Sequence, residues 1–369
     1  MNQNEEAMKS IRSLRGLDPF TVVFSGDSIA YNRYDFDPVP RTNGYDCFPG
    51  MLSWSFLLRD MFVNSSKGYV HGDILAAKHI VNRGEGSVRC GYKRSYVFPQ
   101  YGRVLWYTAK SAKDKLTVGY NPASAEKIVL YMLSNPLKTS CRFDVRVNGE
   151  YALTVGNSGE NKCHQGFEPF SVELKAVKNQ ENTISFENFV PDTHDQSVSE
   201  IFLVGISTET VYVHMTGQGS TTCKWLDDNC EERLLRYAPD LVYLSLAGND
   251  IILSDPETFE KSLRSVIRRV RGIKPHCGFV LLPLPPVEHD SDYIEYDGWI
   301  YHKSPVTTSY YDKVNKVAED MNACVVDTYA LFSGMPVNLW RYDNIHFNQY
   351  GNMLLYKHLK GMLYPEGDK

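Results

Sequence analysis

The sequence predicts a three-layer α/β/α domain with a parallel sheet, interrupted by an inserted all-β sandwich of jelly-roll type. Three observations carry this. Toward both ends of the chain, short β-branched strand runs alternate with segments of helical period, the pattern of a doubly wound sheet. Between about 92 and 209 that alternation gives way to short runs rich in Val, Ile, Tyr and Phe, separated by Gly, Asn and Pro turns. The outer strand runs end in short polar, Gly-containing stretches, which is where open α/β sheets place their ligands. The expected domains are therefore 1–91 with 210–369, and an inserted 92–209.

Taken in order, residues 1–18 read as a helical lead-in. Phe20-Thr21-Val22-Val23-Phe24 is a buried strand ending at Ser25-Gly26-Asp27-Ser28. Residues 31–50 read as loop, and Trp54 to Phe62 has helical spacing of apolar residues. Ile80-Val81 is a short strand run leading into Asn82-Arg83-Gly84-Glu85-Gly86. In the β segment, Phe143 to Val147 and Tyr151 to Val155 flank Asn148-Gly149, a strong hairpin signal. The α/β texture returns with a strand at 211–215 and a helix over 222–237. A strand at 240–246 then ends at Ala247-Gly248-Asn249-Asp250. A basic amphipathic helix over 256–271, a strand at 278–282, a loop over 283–305, a helix over 308–322, a strand at 324–327 and a helix over 350–362 complete the series.

Composition narrows the function classes. The 369 residues are 43% hydrophobic and 22% charged, an ordinary globular balance with room for two domains. A net charge of −5 offers no basic footprint for nucleic acid. No stretch reaches the roughly 18 apolar residues of a membrane span. The polar N-terminus lacks the apolar run of a signal peptide. Eight scattered cysteines without Cys-x-x-Cys spacing read as reduced, buried thiols, so the expected compartment is cytoplasmic. His71 and His79 near Asp73 have no metal-ligand spacing, and neither metal nor other cofactor is expected. The oligomeric state is not legible.

Four segments can converge on one sheet edge: Gly26-Asp27-Ser28, Gly217-Gln218-Gly219, Gly248-Asn249-Asp250 and Asp343-Asn344-Ile345-His346. Ser28 can attack as a nucleophile, although a Ser at that place can also simply cap the next helix. His346 can accept its proton and return it to the leaving alcohol. Asp343 can fix the imidazole tautomer. The backbone N–H groups of Ser28 and Gly219 and the Asn249 amide are suitable oxyanion donors, each typically worth ~3 kcal/mol of barrier.

These blocks, in this order, resemble those of the SGNH (GDSL-type) hydrolase superfamily, with Pro239-Asp240-Leu241-Val242 ahead of the third. The resemblance covers about 1–90 and 210–369. It implies nucleophile Ser28, oxyanion donors Ser28, Gly219 and Asn249, acid Asp343 and base His346. Asn82-Arg83-Gly84-Glu85-Gly86 also resembles the second block. Gly219 is preferred for its short interval to Asp240, with Gly84 or Gly86 as the alternative.

The inserted segment resembles a carbohydrate-binding module, most like family 35. An SGNH domain with such an insert is similar to the acetyl-mannan esterases of carbohydrate esterase family 17, and less closely to peptidoglycan O-acetylesterases. The resemblance therefore implies an acetylated oligosaccharide as substrate, mannan-type favoured over xylan or peptidoglycan. A lipase or thioesterase, or an idle carbohydrate-binding protein, are the other readings. Asp27, Tyr293, Tyr296, Trp299 and Trp340 are the candidate substrate-binding residues, the aromatics because flat rings suit a pyranose. Trp54, Trp106 and Tyr107 could serve similarly, and any of these rings could instead simply pack.

Overall fold

The computed structural model describes residues 3–14, 16–31, 53–90, 104–135, 138–157, 169–192, 198–284, 293–296, 299–302, 306–341 and 346–365. The chain divides into two units, Met1–Arg59 with Val213–Lys369, and Asp60–Tyr212. The second unit thus begins well before residue 92, where the sequence placed the boundary. The reason is strand pairing. Val70–His71, Ile80–Asn82 and Ser87–Cys90 pair with Ser199–Ser207, Leu116–Tyr120 and Leu105–Ala109, so their ladder bonds commit 70–90 to the β unit.

The first unit is built on a five-stranded sheet. Its order is Val211–Met215, Phe20–Gly26, Leu241–Leu246, Gly278–Pro283 and Cys324–Val325. The last four strands pair in parallel. In chain order this is 2-1-3-4-5, so the direction of travel reverses between Phe20–Gly26 and Leu241–Leu246. Ligands of open α/β sheets bind at such a reversal, outside the carboxyl ends of the strands.

Alternating side chains cover the two faces. Val242, Leu244 and Leu246 join Phe279 and Leu281 in a core with the helix residues Phe259, Leu263, Val266, Ile267 and Val270. Those five lie on one stripe of Pro256–Ile273, whose Asp255 cap accepts the Thr258 N–H at 2.8 Å. Burial of each such side chain is worth about 1.5–3 kcal/mol. On the opposite face Tyr243 stacks on Phe24 with centroids 4.9 Å apart, and Trp54 meets Phe24 edge-on at 5.8 Å. The helix Gln3–Leu14 covers the same sheet so closely that a Cβ on Gly278 would lie 2.8 Å from Ile11.

Two expectations change. The helix over 222–237 is broken into Cys223–Asp228, Cys230–Arg233 and a single turn Leu235–Tyr237. Asn229 interrupts it at φ −103° and ψ 17°, its side chain donating to the Trp225 carbonyl at 2.8 Å. Within 283–305, read as loop, Tyr293–Tyr296 and Trp299–His302 form an antiparallel pair.

The second unit holds two antiparallel sheets. One runs Pro169–Lys175, Lys127–Leu133, Ser199–Ser207, Leu105–Ala109 and Ser87–Cys90. The other runs Ile80–Asn82, Leu116–Tyr120, Asn182–Pro191, Cys141–Val147 and Glu150–Gly156. One core draws on both, with Leu105, Tyr107 and Leu130 from the first and Val118, Phe143 and Phe186 from the second. The expected hairpin is present: Asn148 and Gly149 sit at φ 54° and 86°, the positive pair of a two-residue turn that matches strand twist. Nothing lies within 4 Å of a Cβ placed on Gly149, so Gly149→Ala meets only the backbone cost of positive φ. We expect that variant to lose about 1 kcal/mol of stability. Urea unfolding reads it as a lower midpoint at constant slope, and an unchanged midpoint would contradict the turn assignment.

Candidate active site

Phe20–Gly26 ends at the reversal point, and the next residues turn sharply. Gly26 has φ +123°, and a Cβ there would lie 2.0 Å from the Ser245 carbonyl oxygen, so only glycine lets the strands approach before the turn. Ser28 opens the short helix Ser28–Tyr31. The capping task falls to its neighbour: Asp27 Oδ1 accepts the Ile29 N–H at 2.9 Å. The Ser28 hydroxyl instead lies 2.8 Å from His346 Nε2, across 318 positions of sequence. Both residues are buried.

The other two loops lie against this turn. Pairing beside Phe20–Gly26 continues past the edge strand, the Thr216 N–H bonding to Phe24 O at 2.8 Å and the Gln218 N–H to Gly26 O at 2.9 Å. This carries Gly219 to Ser28: a Cβ on Gly219 would sit 3.7 Å from the Ser28 Cβ. After Leu241–Leu246, the Gly248 N–H donates to Asp27 Oδ2 at 3.2 Å, and the Asn249 amide donates to the Thr221 carbonyl at 3.0 Å. Gly84 and Gly86 belong to the second unit. Gly84 adopts φ +55° beside Lys115, and a Cβ on Gly86 would strike the Tyr107 hydroxyl at 2.2 Å. Packing inside the β unit accounts for both glycines.

His346 is held by its flanks. Arg341 and Phe347 form an antiparallel bridge, and the Asn348 N–H donates to Trp340 O at 3.0 Å. The Asn348 side chain then caps the helix Gln349–Leu363 by accepting the Gly351 N–H at 3.0 Å. Asp343 lies outside the described residues.

Several expected substrate contacts change role. Trp340 is fully buried, stacked on Phe332 at 4.4 Å with the Arg341 guanidinium 4.2 Å from its ring. It supports the His346 segment by packing and offers no open face to a sugar. Asp27 is likewise buried, its carboxylate engaged by backbone N–H groups. Trp54, Trp106 and Tyr107 are buried too, and Trp54 Nε1 donates to Ile29 O at 3.1 Å. Tyr293, Tyr296 and Trp299 lie on the antiparallel pair, with Tyr296 opposite Trp299; their side chains are outside the described set. Among the described residues no group of three His, Cys, Asp or Glu could hold a metal ion. No described helix is long and apolar enough to cross a membrane. The sequence reading assigned no role to Ser245 or Asp250. Gly248-Asn249-Asp250 was itself the signal, but what Asp250 binds depends on a loop 27 positions away.

A serine hydroxyl against an imidazole, where a strand of a parallel sheet ends, can act as nucleophile and general base. Residues 185–354 match the GDSL-like Lipase/Acylhydrolase family. That match covers the segment that carries Gly219, Gly248-Asn249-Asp250 and His346. No curated protein matches the chain. Among solved structures it is similar to a peptidoglycan O-acetylesterase, at 16% identity over 97% of this chain and 94% of that one, with a TM-score of 0.44. It is also similar to an acetylxylan esterase from Geobacillus stearothermophilus, at 21% identity over 43% of this chain and 74% of that one, with a TM-score of 0.36. An α/β hydrolase from the metagenome of Lake Arreo, Spain, is 20% identical over 42% of this chain and 72% of that one, with a TM-score of 0.35.

Two buried carboxylates sit behind the loops. Burial pushes Asp27 up to about 6, against the pull of the Ile29 N–H, the His346 ring, the Gly248 N–H and the Ser245 hydroxyl. Burial, aided by the Asp27 charge, pushes Asp250 up to about 7, against the Cys223 N–H. The unfolded chain releases both protons near 3.8, so the folded protein holds more protons between there and about 7. Their contribution to stability is complete below pH 3.8 and is lost as the pH rises through 6 and 7. The double variant Asp27→Asn/Asp250→Asn should therefore lose less Tm than the parent on going from about pH 4 to 7. Parallel Tm-against-pH curves would refute the assignment.

Proposed function

We propose that the protein is a serine esterase that removes O-acetyl groups from oligosaccharides, acetylated mannan-type glycans being favoured. The observation that carries the reading is the 2.8 Å contact between the Ser28 hydroxyl and His346 Nε2. Ser28 gives its proton to His346 as its oxygen attacks the acetyl carbonyl. The carbonyl π electrons move onto oxygen, and the N–H groups of Ser28 and Gly219 with the Asn249 amide receive that charge. An amide has two N–H donors, so Asn249 can hold Thr221 with one and serve the oxyanion with the other. Collapse leaves acetyl-Ser28, and the sugar oxygen departs with the proton from His346. Water, deprotonated by His346, then attacks acetyl-Ser28; the Ser28–acyl bond breaks, acetate leaves and His346 returns the proton to the Ser28 oxygen. Asp343, three positions before His346, orients the imidazole. Gly219 is preferred to Gly84 and Gly86 because of its approach to Ser28. No cofactor takes part.

The second unit is read as an inserted sandwich that binds glycan. Two antiparallel sheets sharing one core support that reading. Tyr293, Tyr296 and Trp299 are read as aromatic substrate contacts of the first unit. The cytoplasm is the proposed compartment, consistent with five described cysteines that are free and buried.

The test is acetate release from acetylated mannan, acetylated xylan and O-acetylated peptidoglycan, beside p-nitrophenyl esters of rising chain length. Mannan should be the best polymer and acetate the best p-nitrophenyl ester. Ser28→Ala should remove turnover with the far-UV CD spectrum intact. Faster hydrolysis of octanoate than acetate would sink the sugar reading, and turnover surviving in S28A would sink the nucleophile.

A further inference from the structure

We propose that Asp27 and Asp250 are positioning residues that lock the loops bearing Ser28, Gly219 and Asn249 into one register. The inference rests on the esterase reading for its catalytic consequence, and on hydrogen bonds for its geometry. Asp27 lies on the first loop, and its two oxygens reach different partners. Oδ1 accepts the Ile29 N–H at 2.9 Å within the Ser28 turn, while Oδ2 accepts the Gly248 N–H at 3.2 Å from the third loop. The Ser245 hydroxyl, at the end of the strand leading to that loop, adds a contact to Oδ1 at 3.4 Å. Asp250 belongs to the third loop and reaches the second: Oδ1 accepts the Cys223 N–H at 2.9 Å, four positions after Gly219. The Asn249 amide reaches the Thr221 carbonyl on the same loop. From behind, the Tyr310 hydroxyl bonds the Asp250 carbonyl at 3.1 Å.

The stitching therefore runs from the first loop to the third through Asp27, and from the third to the second through Asp250. Glycine makes the approach possible, since a Cβ on Gly248 would sit 2.6 Å from Asp27 Oδ2. Asp27 and Asp250 are only 3% and 2% exposed. Burying a carboxyl is costly unless hydrogen bonds compensate it, and an apolar pair would fill the same space without that cost. What an apolar pair cannot supply is an acceptor aimed at a backbone N–H of the neighbouring loop. Donors to a developing oxyanion act best when fixed before the reaction, because no reorganisation is then needed in the transition state. The raised proton affinities of both groups fit this buried, N–H-bonded setting.

The two residues respond differently to the same replacement. Asp27 uses both oxygens as acceptors, and an asparagine retains one. Asp250 meets Cys223 through one oxygen, which an asparagine also has. The experiment compares D27N, D250N and D250A in the full chain, reading p-nitrophenyl acetate kinetics and amide hydrogen exchange over 217–223 and 247–250. D250A should lose at least about tenfold in kcat with KM within about twofold, and D250N should recover to within about threefold of the parent. D27N should lose at least about tenfold in kcat. Exchange over 217–223 should quicken in D250A and return to the parent rate in D250N. Unchanged exchange in D250A, or quickened exchange with unchanged kcat, would overturn the proposal. So would a D250N as impaired as D250A. If D250A does not fold, the contrast between D27N and D250N decides. If the parent hydrolyses no ester, the esterase reading falls and the exchange pattern alone decides the clamp.

Discussion

The parallel pairing of Phe20–Gly26 with Leu241–Leu246 is the constraint on which the site depends. It joins segments separated by the whole second unit, with Val22 opposite Leu241 and Gly26 opposite Ser245. A long closed loop costs little more entropy than a moderate one, since the cost grows only with the logarithm of length. Register is strict because both faces are committed. Val242, Leu244 and Leu246 face one set of helices, and Tyr243 stacks on Phe24 on the other side. A slip of one residue would exchange the faces and move the Ser28 turn away from the loop that follows Leu246.

At the end of that pair the site is made by loops, yet their freedom is small. Glycines permit approaches that a Cβ would block at Gly26 and Gly248. Buried carboxyl groups then accept the N–H groups that those approaches expose. The His346 segment is fixed by different means, a bridge between Arg341 and Phe347 and an aromatic stack around Trp340. The Ser28–His346 hydrogen bond is thus the meeting point of two supports, one polar and one aromatic.

Much of this was legible in residue order. The Gly26-Asp27-Ser28 turn followed a β-branched run, and Asn148-Gly149 marked a hairpin that depends only on local backbone preferences. The strand 241–246 and the amphipathic helix from Pro256 were visible through their periods. Where the reading moved, a distant partner decided. Val70–His71, Ile80–Asn82 and Ser87–Cys90 are too short to declare an allegiance and join the β unit only through their neighbours. Trp340 and Asp27 looked available to substrate because burial is invisible in one dimension.

The sequence by itself determined the alternation of strands and helices, the β texture of the middle segment, and the residue types able to perform acyl transfer. These follow from local propensity, periodicity and side-chain chemistry. Only the tertiary structure decided which glycine stands beside Ser28, that its hydroxyl faces His346 while Asp27 caps the helix, and that Asp250 reaches across to Cys223. Strand order and register bring His346 within hydrogen-bond reach of Ser28 across 318 positions, and Asp250 within reach of Cys223 across 27.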